Sequence, residues 1–228
     1  MSASKSDINI CITLAENDIY RLLCQIERAQ QLNDFVEIRA DYLPKLDLSV
    51  LSKIKTSLSA RAIFTCRSVK DGGNFEGTDK EQVELLKTAA SLGFEYIDVD
   101  LRLINQFKNK LENTKIIVSY HHFTHTPSYL QLKKYLKKMR ASVGDIYKFA
   151  CLVKSKKDLY SLYKILINKK PKEQLIVLGM GKIGQISRLL TPFLGGYLTF
   201  ASLDDVAVAP GQTSFDNLQQ KLKLISLL

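Results

Sequence analysis

The sequence predicts a single (β/α)8 barrel, with residues 1–228 as one domain. Eight short apolar runs alternate with eight stretches of helical spacing, and no linker or low-complexity tract interrupts the alternation. At 228 residues and 46% hydrophobic content, the chain is long enough to bury one large core. An open doubly wound sheet is the alternative. It would carry a glycine-rich first turn, and residues 14–16, after the first strand, contain no glycine.

Taken in order, strands are expected at 8–14, 35–39, 62–66, 96–100, 115–120, 146–153, 175–179 and 197–200. Each is a short run of mainly apolar residues, the pattern of a parallel strand covered on both faces. Helices are expected at 19–31, 48–56, 80–92, 103–111, 128–139, 156–168, 184–190 and 215–225, where apolar residues recur at three- and four-residue intervals.

Composition narrows the class. No apolar run approaches the roughly 20 residues of a membrane span, and no cleavable signal is recognisable, so a cytoplasmic protein without membrane partners is expected. Cys11, Cys24, Cys66 and Cys151 lack CxxC spacing, and three lie in strand-like runs, which fits reduced core thiols. The net charge of +10 comes mostly from lysines scattered over helical stretches. The densest patch, Lys133, Lys134, Lys137, Lys138 and Arg140, has no aromatic platform or groove-reading motif beside it. A solvated face is expected there, not a nucleic-acid site.

Lys148 stands out inside the sixth strand. Alternation puts Tyr147, Phe149 and Cys151 on one face and Ile146, Lys148 and Ala150 on the other, so the lysine points into the barrel. An apolar interior would favour its neutral, nucleophilic amine.

Barrel chemistry collects at the C-terminal strand ends, which allows the polar residues there to be read together. Glu37, Arg39 and Asp41 share one face at the end of strand two. Arg67 closes strand three, before Asp71-Gly72-Gly73. His121 shares a face with Ser119 and Ile117 on strand five, which selects it over His122. The spacing His121-His122-x-x-His125 invites a metal, but it lacks a companion cysteine and sits on a turn, so no metal site is expected. Gly181-x-x-Gly184 precedes Ser187-Arg188, and Ala209-Pro210-Gly211-Gln212 follows strand eight.

In order along the chain, Glu37-x-Arg39-x-Asp41, Phe64-Thr65-x-Arg67 with Gly72-Gly73, Ser119-x-His121-x-Phe123, Lys148-x-Ala150, Ser187-Arg188 and Ala209-Pro210-Gly211-Gln212 resemble type I 3-dehydroquinate dehydratase. The resemblance implies a hydro-lyase of the shikimate pathway that converts 3-dehydroquinate to 3-dehydroshikimate. It implies a small-molecule substrate, no cofactor, and is compatible with a homodimer.

By that resemblance Lys148 forms an iminium with the substrate ketone and His121 is the general acid/base, its cationic form helping to keep Lys148 neutral. Asp71 is the acid that hydrogen-bonds His121. Arg188 and Gln212 hold the substrate carboxylate, Glu37, Arg39 and Arg67 bind its hydroxyls, and 201–213 form a lid. Two positions depart from the family. Asp71 stands where glutamate is usual, and Val208 where a serine often touches the substrate; contact between Asp71 and His121 is still expected, because Gly72 and Gly73 let the loop move inward.

Two other classes fit some of these features. A class I aldolase would share the inward lysine but would present a glycine-rich phosphate site after strands seven and eight, where this chain has Arg188 and Gln212. A non-catalytic polyanion-binding protein would bind DNA in a strongly salt-dependent way, insensitive to Lys148.

Overall fold

The computed structural model describes residues 8–204 and 208–227. Its strands are β1 (Ile10–Leu14), β2 (Phe35–Arg39), β3 (Arg61–Thr65), β4 (Tyr96–Asp100), β5 (Lys115–His122), β6 (Ile146–Leu152), β7 (Gln174–Met180) and β8 (Thr199–Ser202). They form one parallel sheet in the order β7-β6-β5-β4-β3-β2-β1-β8. The remaining seam, between β7 and β8, is bridged where the Tyr197 N–H donates to the Leu175 carbonyl at 2.9 Å. The sheet is thus a nearly closed (β/α)8 barrel, as the alternation predicted.

The helices are α1 (Ile19–Leu32), α2 (Leu48–Thr56), α3 (Asp79–Ser91), α4 (Tyr129–Arg140), α5 (Lys156–Ile167), α6 (Gly181–Gly184), α7 (Ile186–Leu190) and α8 (Phe215–Ile225). Several start on side-chain caps that satisfy the free N–H groups of the first turn. Thr78 with Glu81, Ser128 with Gln131 and Ser155 with Asp158 form reciprocal capping boxes. No helix among the described residues is long and apolar enough to cross a membrane.

Two expectations need correction. The stretch 103–111 is not an α-helix but a single 3-10 turn, Ile104–Gln106. Leu103, Ile104 and Phe107 are buried, but the polar run that follows, rich in asparagine and lysine, offers no apolar face for a second turn. The eighth strand pairs with β1 from Thr199, not Tyr197, because Ile10 stands opposite Thr199 and the Tyr197 N–H is taken by the seam to β7.

Two cores result. One lies between sheet and helices. The other fills the barrel, with Cys11, Phe35, Ile63, Tyr96, Ile117 and Ile146 in its floor. Two residues further along the same six strands stand Thr13, Glu37, Thr65, Asp98, Ser119 and Lys148, all buried. Because side chains repeat every second residue, one apolar layer carries one polar layer directly above it.

Candidate active site

Lys148 projects from β6 into that polar layer and is 5% exposed. Its Nζ lies 2.9 Å from Asp98 Oδ2, 3.6 Å from Glu37 Oε1 and 4.5 Å from the centroid of the Phe200 ring. The lysine therefore points inward as the alternation requires, but its surroundings are not simply apolar. Two carboxylates offset the cost of burying its charge.

Asp98 is the hub of the layer. Besides Lys148 it accepts hydrogen bonds from Arg67 Nη2, at 2.8 Å, and from the Ser119 hydroxyl. Burial alone would raise its pKa; Arg67 and then Lys148 outweigh burial and hold the carboxyl well below the usual range, so it stays ionised. Asp98 was absent from the residues expected at the site. The signal was available: it shares the inward face of β4 with Tyr96 and Asp100, and a carboxylate inside a buried parallel strand requires a partner.

Glu37 accepts from Thr13 at 3.1 Å and from Thr65 at 2.9 Å, which fixes its carboxylate beside Lys148. Arg39 does not pair with it. The 3-10 turn Ala40–Tyr42 brings Asp41 back onto the Arg39 guanidinium, with contacts of 2.9 and 2.8 Å.

Arg67 Nη1 lies 2.9 Å from His121 Nδ1. A guanidinium can only donate, so Nδ1 accepts and the proton of the neutral ring sits on Nε2. Burial, then Arg67 and Lys148, push the imidazole well below its ordinary pKa. A cationic His121 repelling Lys148, as the resemblance implied, is thus not the resting state. His122 and His125 share a separate turn, where His122 Nδ1 accepts the His125 N–H at 3.3 Å.

Asp71 corrects a second expectation. It accepts from the Ser68 hydroxyl at 2.7 Å and from Arg102 at 2.8 Å, and it makes no hydrogen bond to His121. Gly72 ends the turn at φ 78°, and a Cβ there would lie 2.2 Å from the Phe123 ring. The glycine does admit close approach, but Arg102 draws the shortened carboxylate away from the histidine.

Nearby, the carboxyl of Asp100 is pushed up to about 6, by burial first, with the Arg102 N–H opposing and Asp71 adding to the rise. A folded-state value above the ordinary one means a contribution fully present below about pH 4 and lost as pH rises through 6. Asp100→Asn is expected to stabilise the fold by about 1–2 kcal/mol at pH 8 and not at pH 4, measured by urea unfolding.

Arg188, on α7, is 3% exposed and has no carboxylate partner among the described residues. Its Nη1 donates to the Gly179 carbonyl at 2.9 Å, its Nε has no partner, and burial lowers its pKa to about 10. The turn that delivers it is closely packed: a Cβ on Gly184 would lie 2.5 Å from the Gly179 backbone. Ser187 locks the turn, accepting from the Gly179 N–H and donating to the Gly184 carbonyl, both at 2.7 Å.

Gln212 reaches in from the segment after β8. Its Nε2 donates to Thr13 Oγ1 at 3.0 Å, and its Oε1 accepts the N–H groups of Val208 and Ala209. Of the expected lid, 201–213, residues 205–207 lie outside the described residues. Glu37, Arg39, Arg67, His121, Lys148, Arg188 and Gln212 all line one cavity of about 100 Å3; Asp71 does not. The cavity thus combines one buried amine, an imidazole held toward its neutral form, a guanidinium that has no carboxylate partner among the described residues, and the fixed carboxylate of Glu37, with Asp98 bonded to the amine from outside the cavity lining.

The chain is 43% identical over 210 residues to 3-dehydroquinate dehydratase of Coxiella burnetii, covering 92% of this chain and 90% of the relative. It is 33% identical to the Methanocaldococcus jannaschii protein of the same name, covering 96% and 99%. The 3-dehydroquinate dehydratase structure from Geobacillus kaustophilus superposes with a TM-score of 0.85 at 23% identity, covering 97% of this chain and 92% of that one, a likeness of fold. That from Aquifex aeolicus gives 0.77 at 27%, covering 97% and 100%. The sequence model of type I 3-dehydroquinase matches residues 10–228, and with an eight-stranded barrel and relatives of this identity the chain belongs to that family.

Proposed function

We propose that this chain dehydrates 3-dehydroquinate to 3-dehydroshikimate through an imine between Lys148 and the substrate's C3 ketone. The observation that carries the reading is a buried lysine sharing a cavity with a buried arginine that has no carboxylate partner among the described residues. An arginine whose charge no described carboxylate offsets is complementary to an anionic substrate, and the lysine supplies a nucleophile for its carbonyl.

Asp98, held ionised, orients Lys148 but is a poor acceptor for its proton; His121, held neutral, is the better one. The Lys148 amine adds to C3 and water leaves, giving an iminium. His121 then takes a C2 proton, the electron pair flows toward the iminium nitrogen, and the C1–O bond breaks as the hydroxyl departs with a proton from His121. Hydrolysis of the imine returns Lys148, so the net loss is one water. His121 accepts at Nδ1 once Arg67 turns from the ring to the substrate hydroxyls, with Glu37 and Arg39 fixing the remaining orientation. The absence of CxxC spacing and the free cysteines support placement in the reducing cytoplasm.

Incubation with 3-dehydroquinate, borohydride reduction and peptide mapping by mass tests the reading. An adduct on Lys148 is expected. Turnover without an adduct overturns the imine, and absence of turnover overturns the dehydratase assignment.

Arg188→Met gives a second, independent check. Loss of a charge-assisted contact worth roughly 1.5–3 kcal/mol should raise KM by about 10- to 100-fold. The same change removes a buried cation that has no carboxylate partner among the described residues, so urea unfolding should show equal or greater stability. An unchanged KM removes Arg188 from the site.

A further inference from the structure

His121 borders two cavities. One is the inner cavity with Lys148; the other, of about 670 Å3, lies on the outer side of the β4–β5 rim and includes Asp71, Asp100, Arg102, Tyr120 and Lys138. The ring's Nδ1 is occupied by Arg67, which lines only the inner cavity, and this leaves Nε2–H as the nitrogen without a partner. Two carboxylates share the outer cavity with the ring. Asp71 is committed to Arg102 and Ser68, and Arg102 is anchored in turn by Asp79 at the start of α3. Asp100 differs: among the described residues its side chain accepts only the backbone N–H of Arg102, at 2.8 Å, and no guanidinium or ammonium pairs with it.

We propose that Asp100, not Asp71, is the positioning acid for His121 in this chain, acting on Nε2–H through water in the outer cavity. This deepens the dehydratase reading and rests on it. Asp100, with no cation partner among the described residues, has Oδ2 open to a bridging water, whereas Asp71 takes both Arg102 and Ser68 on one oxygen, which fixes its orientation and offsets its charge. The raised titration of Asp100 fits a group left without a cation, and a carboxylate near neutral pH can also exchange a proton with the ring. The charged and titratable groups around Asp100 and His121 are Asp71, Arg102, Arg67 and Asp98, with Tyr120 from β5, Lys138 from α4, and Lys148 and Arg39 on the inner side. Asp100 is the carboxylate among them that is neither in an ion pair nor inside the inner layer.

The test compares Asp100→Asn and Asp71→Asn in the full chain, reading the His121 Nε2–H resonance by 15N-edited NMR and the pH dependence of kcat. Asp100→Asn is expected to displace the Nε2–H signal. It should also lower kcat by about threefold or more at pH 8, where Asp100 is ionised, and have little effect below about pH 5, where the parent carboxyl is protonated, while KM changes less than about twofold. Asp71→Asn is expected to leave the Nε2–H signal in place. The proposal is overturned if Asp100→Asn leaves that signal unmoved, or if Asp71→Asn moves it more. Should Asp100→Asn fail to fold, Asp100→Ser carries the same expectations. The NMR arm uses resting protein, so it decides the contact even if 3-dehydroquinate is not turned over, an outcome that would count against the dehydratase reading alone.

Discussion

A Lys148→Ala protein is expected to fold, to form no borohydride-trappable adduct, and to turn over 3-dehydroquinate about 10^4- to 10^6-fold more slowly than the parent. The size of the loss follows from removing the covalent route while leaving the binding groups. Folding should survive because neither carboxylate is stranded: Asp98 keeps Arg67 at 2.8 Å, and Glu37 keeps Thr13 and Thr65. The remaining cost is the cavity left by the side chain and one lost ion pair, together about 1–3 kcal/mol. Circular dichroism and urea unfolding check the fold, and single-turnover kinetics check the chemistry. A well-folded Lys148→Ala protein that retains substantial turnover would sink the imine mechanism.

Asp98→Asn should produce the largest loss of stability, about 3–5 kcal/mol, because it leaves Lys148 and Arg67 as buried cations with only Glu37, at 3.6 Å, near the lysine. The folded-state carboxyl is held below its ordinary value. Its contribution is therefore present above about pH 4 and is lost as pH falls further. The gap between parent and variant should be constant from pH 6 to 8 and close in acid. Urea titrations at three pH values, read through the midpoint at constant m, check this. Turnover should fall as well, since the Lys148 amine loses the partner that aims it. A variant as stable as its parent at pH 7 would mean that Asp98 is not the counter-charge of the layer.

Much of the barrel was legible because strand direction is a local rule. Once eight apolar runs are placed, period two assigns each residue to the interior or to the helix side, and the inward placement of Lys148, Glu37 and His121 follows without knowing any contact. The same rule applied to β4 would have identified Asp98. What was misread depended on small differences of packing. The 103–111 stretch has a helical spacing of apolar residues but too few of them to bury a second turn, and the start of β8 depended on where its ladder to β1 and its seam to β7 divide the backbone N–H groups.

The sequence by itself determined which side chains enter the barrel mouth, since that depends only on alternation within each strand. Which charges meet there was decided by the tertiary structure. Asp98 joins Lys148 and Arg67, partners 50 and 31 residues away, because the stagger of three strands brings their polar layer to one level. Asp71 is drawn to Arg102 because two loops from different βα units converge, and Arg188 meets a backbone carbonyl and no described carboxylate because the turn after β7 folds it back onto Gly179. Coulomb energies between buried groups vary steeply with distance and solvation, and both are set by how the strands and loops pack, not by the order of residues along any one of them.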